Sequence, residues 1–204
     1  MDDRHAEWPN GTPGPAEGPL RHRIHIFGAS GTGTSTLGRL LASRLASQHF
    51  DTDDFYWEPT DPPFRRKRPI PDRLALMHQV FLPRSDWVLS GSLDSWSEGI
   101  DARFTAAIFL ILDPDTLQNR LLAREFRRYG AAMEPGGAFH EECAAFLHWA
   151  AGYERGSRPG RSRARHEAWA ATLSCPVLRL PADALPEALV ARVLTWLDAR
   201  TEAS

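Results

Sequence analysis

The chain has 204 residues, 42% of them apolar and 25% charged, and a formal net charge of −2. That balance predicts one globular domain with a real core, and it excludes bulk electrostatic attachment to nucleic acid or anionic membrane. No run approaches the roughly 20 apolar residues of a membrane helix, the polar start Met1–Glu7 is no secretory signal, and Cys143 and Cys175, distant and without CxxC spacing, exclude a disulfide framework. The expected setting is a reducing cytoplasm. Lys67 is the only lysine, so any role that needs one has a single candidate.

Residues 1–20, with Pro9, Pro13, Pro15, Gly11, Gly14 and Gly18 among few apolar side chains, predict a flexible leader before a domain over 21–204. Ile24, Ile26 and Phe27 then predict a strand that stops at GASGTG, and Leu37, Leu40, Leu41 and Leu45 the helix after it. A second strand is expected to end near His49 and Phe50, before Asp51-Thr52-Asp53-Asp54. Prolines from Pro59 to Pro71 around Arg65-Arg66-Lys67-Arg68 predict an irregular loop, and a helix follows from about Asp72 to Pro83. Trp87-Val88-Leu89 reads as a short buried strand ending at Ser90-Gly91-Ser92, and Ala106–Leu112 as the clearest strand of the chain. Asp115 or a neighbour is expected to cap the next helix, which carries Leu117, Leu121 and Leu122. Helices from about His140 to Tyr153 and from Ala164 to Leu173 flank a break at Gly156–Gly160. Pro176–Leu180 is the last strand, and Leu185–Leu197 a closing amphipathic helix. Strands alternating with helices predict an α/β fold with a mostly parallel sheet covered on both faces.

The most specific motif is Gly28-Ala29-Ser30-Gly31-Thr32-Gly33-Thr34-Ser35. It matches the phosphate-binding pattern GxxxxGK[ST] at both glycines and at the hydroxyl position, Ser35, which usually holds Mg²⁺. Glycines let backbone N–H groups wrap a phosphate, and the helix N-terminus adds a positive dipole. The nucleotide-binding candidates are Gly28, Ser30, Gly31, Thr32, Gly33, Thr34, Ser35 and Thr36. Thr34 stands where the motif has lysine, so the loop has lost its cation. Three consequences stay open: a cation arrives from elsewhere, metal and arginines suffice, or catalysis is gone. A rival is a dinucleotide fingerprint. Its glycine spacing fails at Thr36, although Asp51 and Asp53 stand about where a ribose contact would. The eight histidines show no metal-ligand spacing, and no Ser/His/Asp hydrolase motif is present.

With this loop and element order the chain resembles, from about Arg21 to Arg200, the nucleoside monophosphate kinase group of P-loop proteins, adenylate kinase and its shikimate- and gluconate-kinase-like relatives. The resemblance implies a P-loop NTPase fold, a five-stranded parallel sheet flanked by helices, with a helical lid over about 125–172. It implies transfer of the γ-phosphoryl group of ATP, with Mg²⁺, to a small metabolite or nucleoside monophosphate. The implied partners are a nucleotide and a small-molecule acceptor, not nucleic acid or membrane. Asp51-Thr52-Asp53 is similar to the D-[ST]-D of shikimate-kinase-like proteins, which implies Asp51 beside Mg²⁺ and Asp53 on the acceptor hydroxyl. The alternative, weightier for Asp51 and Asp54, is helix capping or a solvated turn. Arg120 and Arg124 look like the R-x-x-x-R that opens the lid, implying contacts to the base and the transferred phosphate; the alternative is an exposed face ion-paired with Glu125. Arg127, Arg128, Arg155, Arg158, Arg161, Arg163 and Arg165 crowd the lid segment, where closure would bring cations to the phosphates. Lys67 and Arg68 are candidates for an acidic acceptor or the γ-phosphate, against a solvated loop. A second departure accompanies Thr34: strand three ends without the aspartate often found there to order Mg²⁺, and Asp94 lies beyond it. The sequence therefore supports nucleotide binding more strongly than turnover. A catalytically weak nucleotide-binding relative and an NAD(P)-binding protein remain the alternatives.

Overall fold

Alternation along the strands builds the sheet. A computed structural model describes residues 21–97, 99–156 and 160–201; the expected leader and Arg158 lie outside them. In β1 (Arg23–Gly28), Ile24 and Ile26 enter one core and His25 and Phe27 sit on the opposite face, all four fully buried. The other strands are β2 (His49–Asp51), β3 (Trp87–Ser90), β4 (Ala106–Ile111) and β5 (Val177–Pro181). All pair in parallel, in the order β2-β3-β1-β4-β5.

Helices cover both faces, as a parallel sheet requires. On one side, Ile24, Ile26, Val88 and Ile108 meet Leu37 and Leu41 of α1 (Thr34–Arg44), Leu117 and Leu121 of α4 (Pro114–Tyr129) and Leu189 and Val193 of α7 (Pro186–Thr201). On the other, Trp87 and Leu89 meet Met77 of α3 (Ile70–Val80), and Phe27 and Phe109 meet Ala170 of α6 (Arg163–Thr172). Each buried Leu, Ile, Val, Met or Phe among these contributes about 1.5–3 kcal/mol by leaving water. The segment expected as a lid holds the end of α4, α5 (His140–Ala151) and α6; α6 is seated on the sheet, with His166 and Ala170 buried.

Several local expectations shift. The helix expected from Asp72 starts at Ile70, because Pro71 fits a first-turn position that needs no N–H donor, and it stops where Phe81 leaves helical geometry and enters the core. The neighbour of Asp115 that caps α4 is Asp113, whose Oδ2 accepts from Thr116 N at 2.8 Å. Leu122, counted with the apolar stripe, is exposed. A short helix after β2, α2 (Thr52–Tyr56), has no apolar periodicity to betray it.

Candidate functional site

The site lies outside the carboxyl ends of the strands, where parallel α/β sheets place ligands. A cleft of about 850 Å³ is lined there by residues 28–37, Arg39, His49, residues 51–54, Phe64, Gly91, Ser92, five arginines (Arg120, Arg124, Arg127, Arg128 and Arg161), Ala123, residues 184–186 and Leu189. The expected nucleotide loop and both expected aspartates share this one cleft.

The loop turns from β1 into α1 with Gly31 at φ +91° and Gly33 at φ +98°, backbone that L side chains disfavour. Gly33 caps α1 without a side-chain hydrogen bond, and its carbonyl accepts from Leu37 N at 2.9 Å. The N–H groups of Thr34, Ser35 and Thr36 precede that first intrahelical bond, so they are available to an anion at the positive end of the helix dipole. Thr32 is buried and its hydroxyl donates to Ala29 O at 2.8 Å; its side chain braces the loop.

Asp51 organises the other wall. Ser35 Oγ donates to Asp51 Oδ2, Ser90 Oγ donates to the same oxygen at 3.2 Å, and Asp53 N donates to Oδ1 at 3.1 Å. The capping expected of this stretch and contact with the loop hydroxyl are thus both realised, on different oxygens. Asp51 pairs in register with Ser90, so the carboxylate missing from the end of β3 is presented one strand further out. His49 Nε2 lies 2.8 Å from Ser90 Oγ. Since the Ser90 proton is directed to Asp51, His49 is the donor there, which assigns the Nε2–H tautomer. Burial holds the His49 pKa below its ordinary value, against the pull of Asp51. Gly38 of α1 makes this seat: a Cβ there would lie 2.6 Å from the His49 ring. No motif marks His49 or Ser90 in the sequence; a glycine inside a helix is the available signal.

Asp53 is open to the cleft by area, yet the cleft walls crowd it. Reduced solvation first, and then the negative charge of Asp51, push its pKa above the ordinary carboxylate value, while Arg161 and Arg124 pull it down. Asp54 is shifted upward for the same two reasons.

Arg120 donates from Nη2 to Ala182 O at 3.2 Å. Arg124 faces the cleft and also pairs with buried Glu125 at 2.8 Å, so cleft wall and ion-paired helix face are both realised at this residue. Arg161 donates from Nη1 to Ser30 Oγ at 3.2 Å. Arg163 faces Glu154 and Arg165 faces Asp94, each at 3.4 Å, and Arg155 is exposed. Lys67 and Arg68 are not brought to the cleft lining. Lys67 bridges Trp57 in a small antiparallel turn, with Nζ 5.8 Å from the Tyr56 ring centre, and Arg68 Nη1 is tied to Phe55 O at 2.5 Å. Phe64 is the member of that loop that reaches the cleft.

Behind the cleft wall at Ser92, His166 is fully buried, with Nε2 3.1 Å from Ser92 Oγ and Nδ1 2.8 Å from Tyr153 OH. Burial lowers its pKa to about 4, so it is neutral at neutral pH. Among the described residues no group of three or more His, Cys, Asp or Glu side chains could hold a metal ion, and no helix is long and apolar enough to cross a membrane.

The strand order sets β3 between β2 and β1. The dinucleotide-binding order 3-2-1-4-5-6 keeps strands one and two adjacent, so the rival reading of the loop has the wrong topology. The architecture is the P-loop kinase fold. It is similar to shikimate kinase from Aquifex aeolicus (TM-score 0.53, 14% identity, 89% of this chain and 99% of that one). It is equally similar to shikimate kinase from Bacteroides thetaiotaomicron (TM-score 0.54, 20% identity, 87% and 98%). No family model matches the chain. It is 42% identical over 178 residues to the uncharacterized protein YqaC of Bacillus subtilis (strain 168), an alignment spanning 87% of this chain and 98% of that protein, and it belongs to the same family.

Proposed function

We propose that the chain is a small-molecule kinase that moves the γ-phosphoryl group of ATP to the hydroxyl or phosphate oxygen of a small acceptor. The observation that carries the reading is the arrangement of Ser35, Asp51 and Asp53 against one phosphate loop. The donor set fits Mg²⁺: its oxygens are hard ligands, and Ser35 gives its proton to Asp51, which leaves its lone pairs for a cation. Ser35, with Asp51 directly or through water, would hold the ion, and nucleotide oxygens and water would complete its shell. Bound there, Mg²⁺ would offset charge on the β- and γ-phosphates.

The chain's own residues do the rest. The N–H groups of Thr34, Ser35 and Thr36 hold phosphate oxygens. Arg120 and Arg124 flank the nucleotide side, and Phe64, Ser92 and Asp53 the acceptor side. Asp53 orients the acceptor hydroxyl and takes its proton as the new oxygen–phosphorus bond forms and the bond from the γ-phosphorus to the bridging oxygen breaks, releasing ADP. A carboxyl with a raised pKa is a better base for that step than an ordinary one. A nucleotide-binding protein with little turnover is the second reading, favoured by the neutral Thr34.

The test is calorimetric titration with ATP, with and without Mg²⁺, and with NAD⁺ and NADP⁺ in parallel, followed by an ADP-release screen of hydroxylated metabolites and nucleoside monophosphates. Mg²⁺-strengthened ATP binding with release on one acceptor class is the expected result. ATP binding without release on any acceptor selects the second reading, and NAD(P) binding alone removes both.

A further inference from the structure

Thr34 leaves the phosphate loop without a cation, and the arginines around the cleft are not equivalent replacements. Arg124 and Arg128 share Glu125, at 2.8 and 4.0 Å. Arg163 and Arg165 face carboxylates of their own. Arg161 differs from these four in three ways. Its Nη1 donates to Ser30, within the loop itself. Its guanidinium carbon lies 5.7 Å from the Trp149 ring centre, so α5 steadies it by a cation–π contact. Among the described residues, no carboxylate stands within ion-pair distance of it.

We infer that Arg161 replaces the loop lysine: its guanidinium reaches the phosphate loop from the segment after α5 and neutralises the terminal phosphates of the bound nucleotide. This rests on the nucleotide reading above. A guanidinium has five N–H donors, and Ser30 Oγ is a neutral partner that a phosphate oxygen can join or displace. Arg161 lines the same cleft as Asp53, and its charge is felt at that carboxylate. A lysine at position 34 would be anchored to α1, whereas Arg161 reaches the loop from a position 131 residues beyond Ser30.

Five proteins test this: the natural chain, Arg161→Ala, Arg161→Lys, Thr34→Lys and the double variant Thr34→Lys/Arg161→Ala. Each is titrated calorimetrically with ATP·Mg²⁺ and with inorganic tripolyphosphate, after a thermal melt to verify folding. Arg161→Ala is expected to weaken both ligands tenfold or more, and Arg161→Lys, which keeps the charge, to retain most of the affinity. Thr34→Lys is expected to recover much more in the Arg161→Ala background than it adds to the natural chain. Undiminished binding by Arg161→Ala, or an equal gain from Thr34→Lys in both backgrounds, overturns the inference. Arg161-dependent tripolyphosphate binding without ATP binding keeps Arg161 as the phosphate-binding cation of the loop but overturns its assignment to a nucleotide, and with it the kinase reading. Binding of neither ligand by the natural chain removes both.

Discussion

Asp51→Asn keeps the shape of the side chain and reverses its hydrogen bonds. In the natural chain Oδ2 accepts from Ser35 and Ser90, while Oδ1 accepts from Asp53 N. Keeping the bond to Asp53 N puts the amide oxygen at Oδ1 and the NH₂ group opposite the two hydroxyls. Each hydroxyl must then turn to accept, and Ser35 commits to the new amide one of the two lone pairs it would offer a cation. Charge-assisted hydrogen bonds contribute roughly 1.5–3 kcal/mol and neutral ones roughly 0.5–1.5. The difference, about 1–2 kcal/mol, corresponds to roughly 5–30-fold in affinity, and loss of the carboxylate charge adds to it. The fold is expected to survive, because the amide still bonds Asp53 N and both hydroxyls. The assay is the Kd for ATP with and without Mg²⁺ in both proteins. The Mg²⁺ enhancement should shrink by that factor in the variant, while metal-free affinity holds steady or improves. An intact enhancement would refute the assignment of Ser35 and Asp51 to the cation. An equal loss with and without Mg²⁺ would refute it too, by locating the damage in the loop.

Three further outcomes follow from the same structure. Asp53→Asn should abolish turnover with ATP affinity retained, and kcat/KM of the natural chain should fall on the acid side with an apparent pKa above the ordinary carboxylate value, because a protonated Asp53 cannot accept a proton; a profile flat down to about pH 4 contradicts this. Burial lowers the His25 pKa to about 3 from 6.5, so below pH 6.5 the unfolded chain takes up a proton that folded His25 refuses. The stability involved is complete above the unfolded value and declines as pH falls towards the folded one, by about 2 kcal/mol at pH 5. His25→Phe, whose ring suits the stack with Phe27 and Phe104, should therefore lose about 2 kcal/mol less than the natural chain between pH 8 and pH 5 in urea melts; equal losses contradict the account, and His166 leaves a remaining slope in both. Gly91→Ala places a Cβ 1.8 Å from Thr52 Oγ1 at φ +113°, which should cost about 2 kcal/mol or more through strain and overpacking where β3 meets α2; an unchanged melting temperature would show that this junction yields freely.

What the sequence determines by itself is local. Ile24 to Phe27 running into GASGTGTS, and the apolar spacing from Leu37 to Leu45, define strand, loop and helix, because burial and left-handed glycines act on neighbouring residues. The same is true of β4, whose AAIFLI run is legible because both faces of a central strand are buried. The candidate aspartates are legible as a stretch, since acidic residues at the end of a strand face the crevice. The tertiary structure decides which side chains meet. Parallel pairing of β2 with β3 sets Asp51 beside Ser90 and in reach of Ser35, and thereby supplies from β2 a carboxylate that β3 lacks. Gly38 reads as a weak point in a helix until His49 is seen lying against it. Lys67, the sole lysine, reads as a substitute cation until an antiparallel bridge sets it outside the cleft lining. Arg161 is one arginine among many in its segment; folding brings it to Ser30 across 131 residues. Propensity and periodicity act over a few residues, whereas the charge at the phosphate loop depends on packing between segments that no local pattern connects.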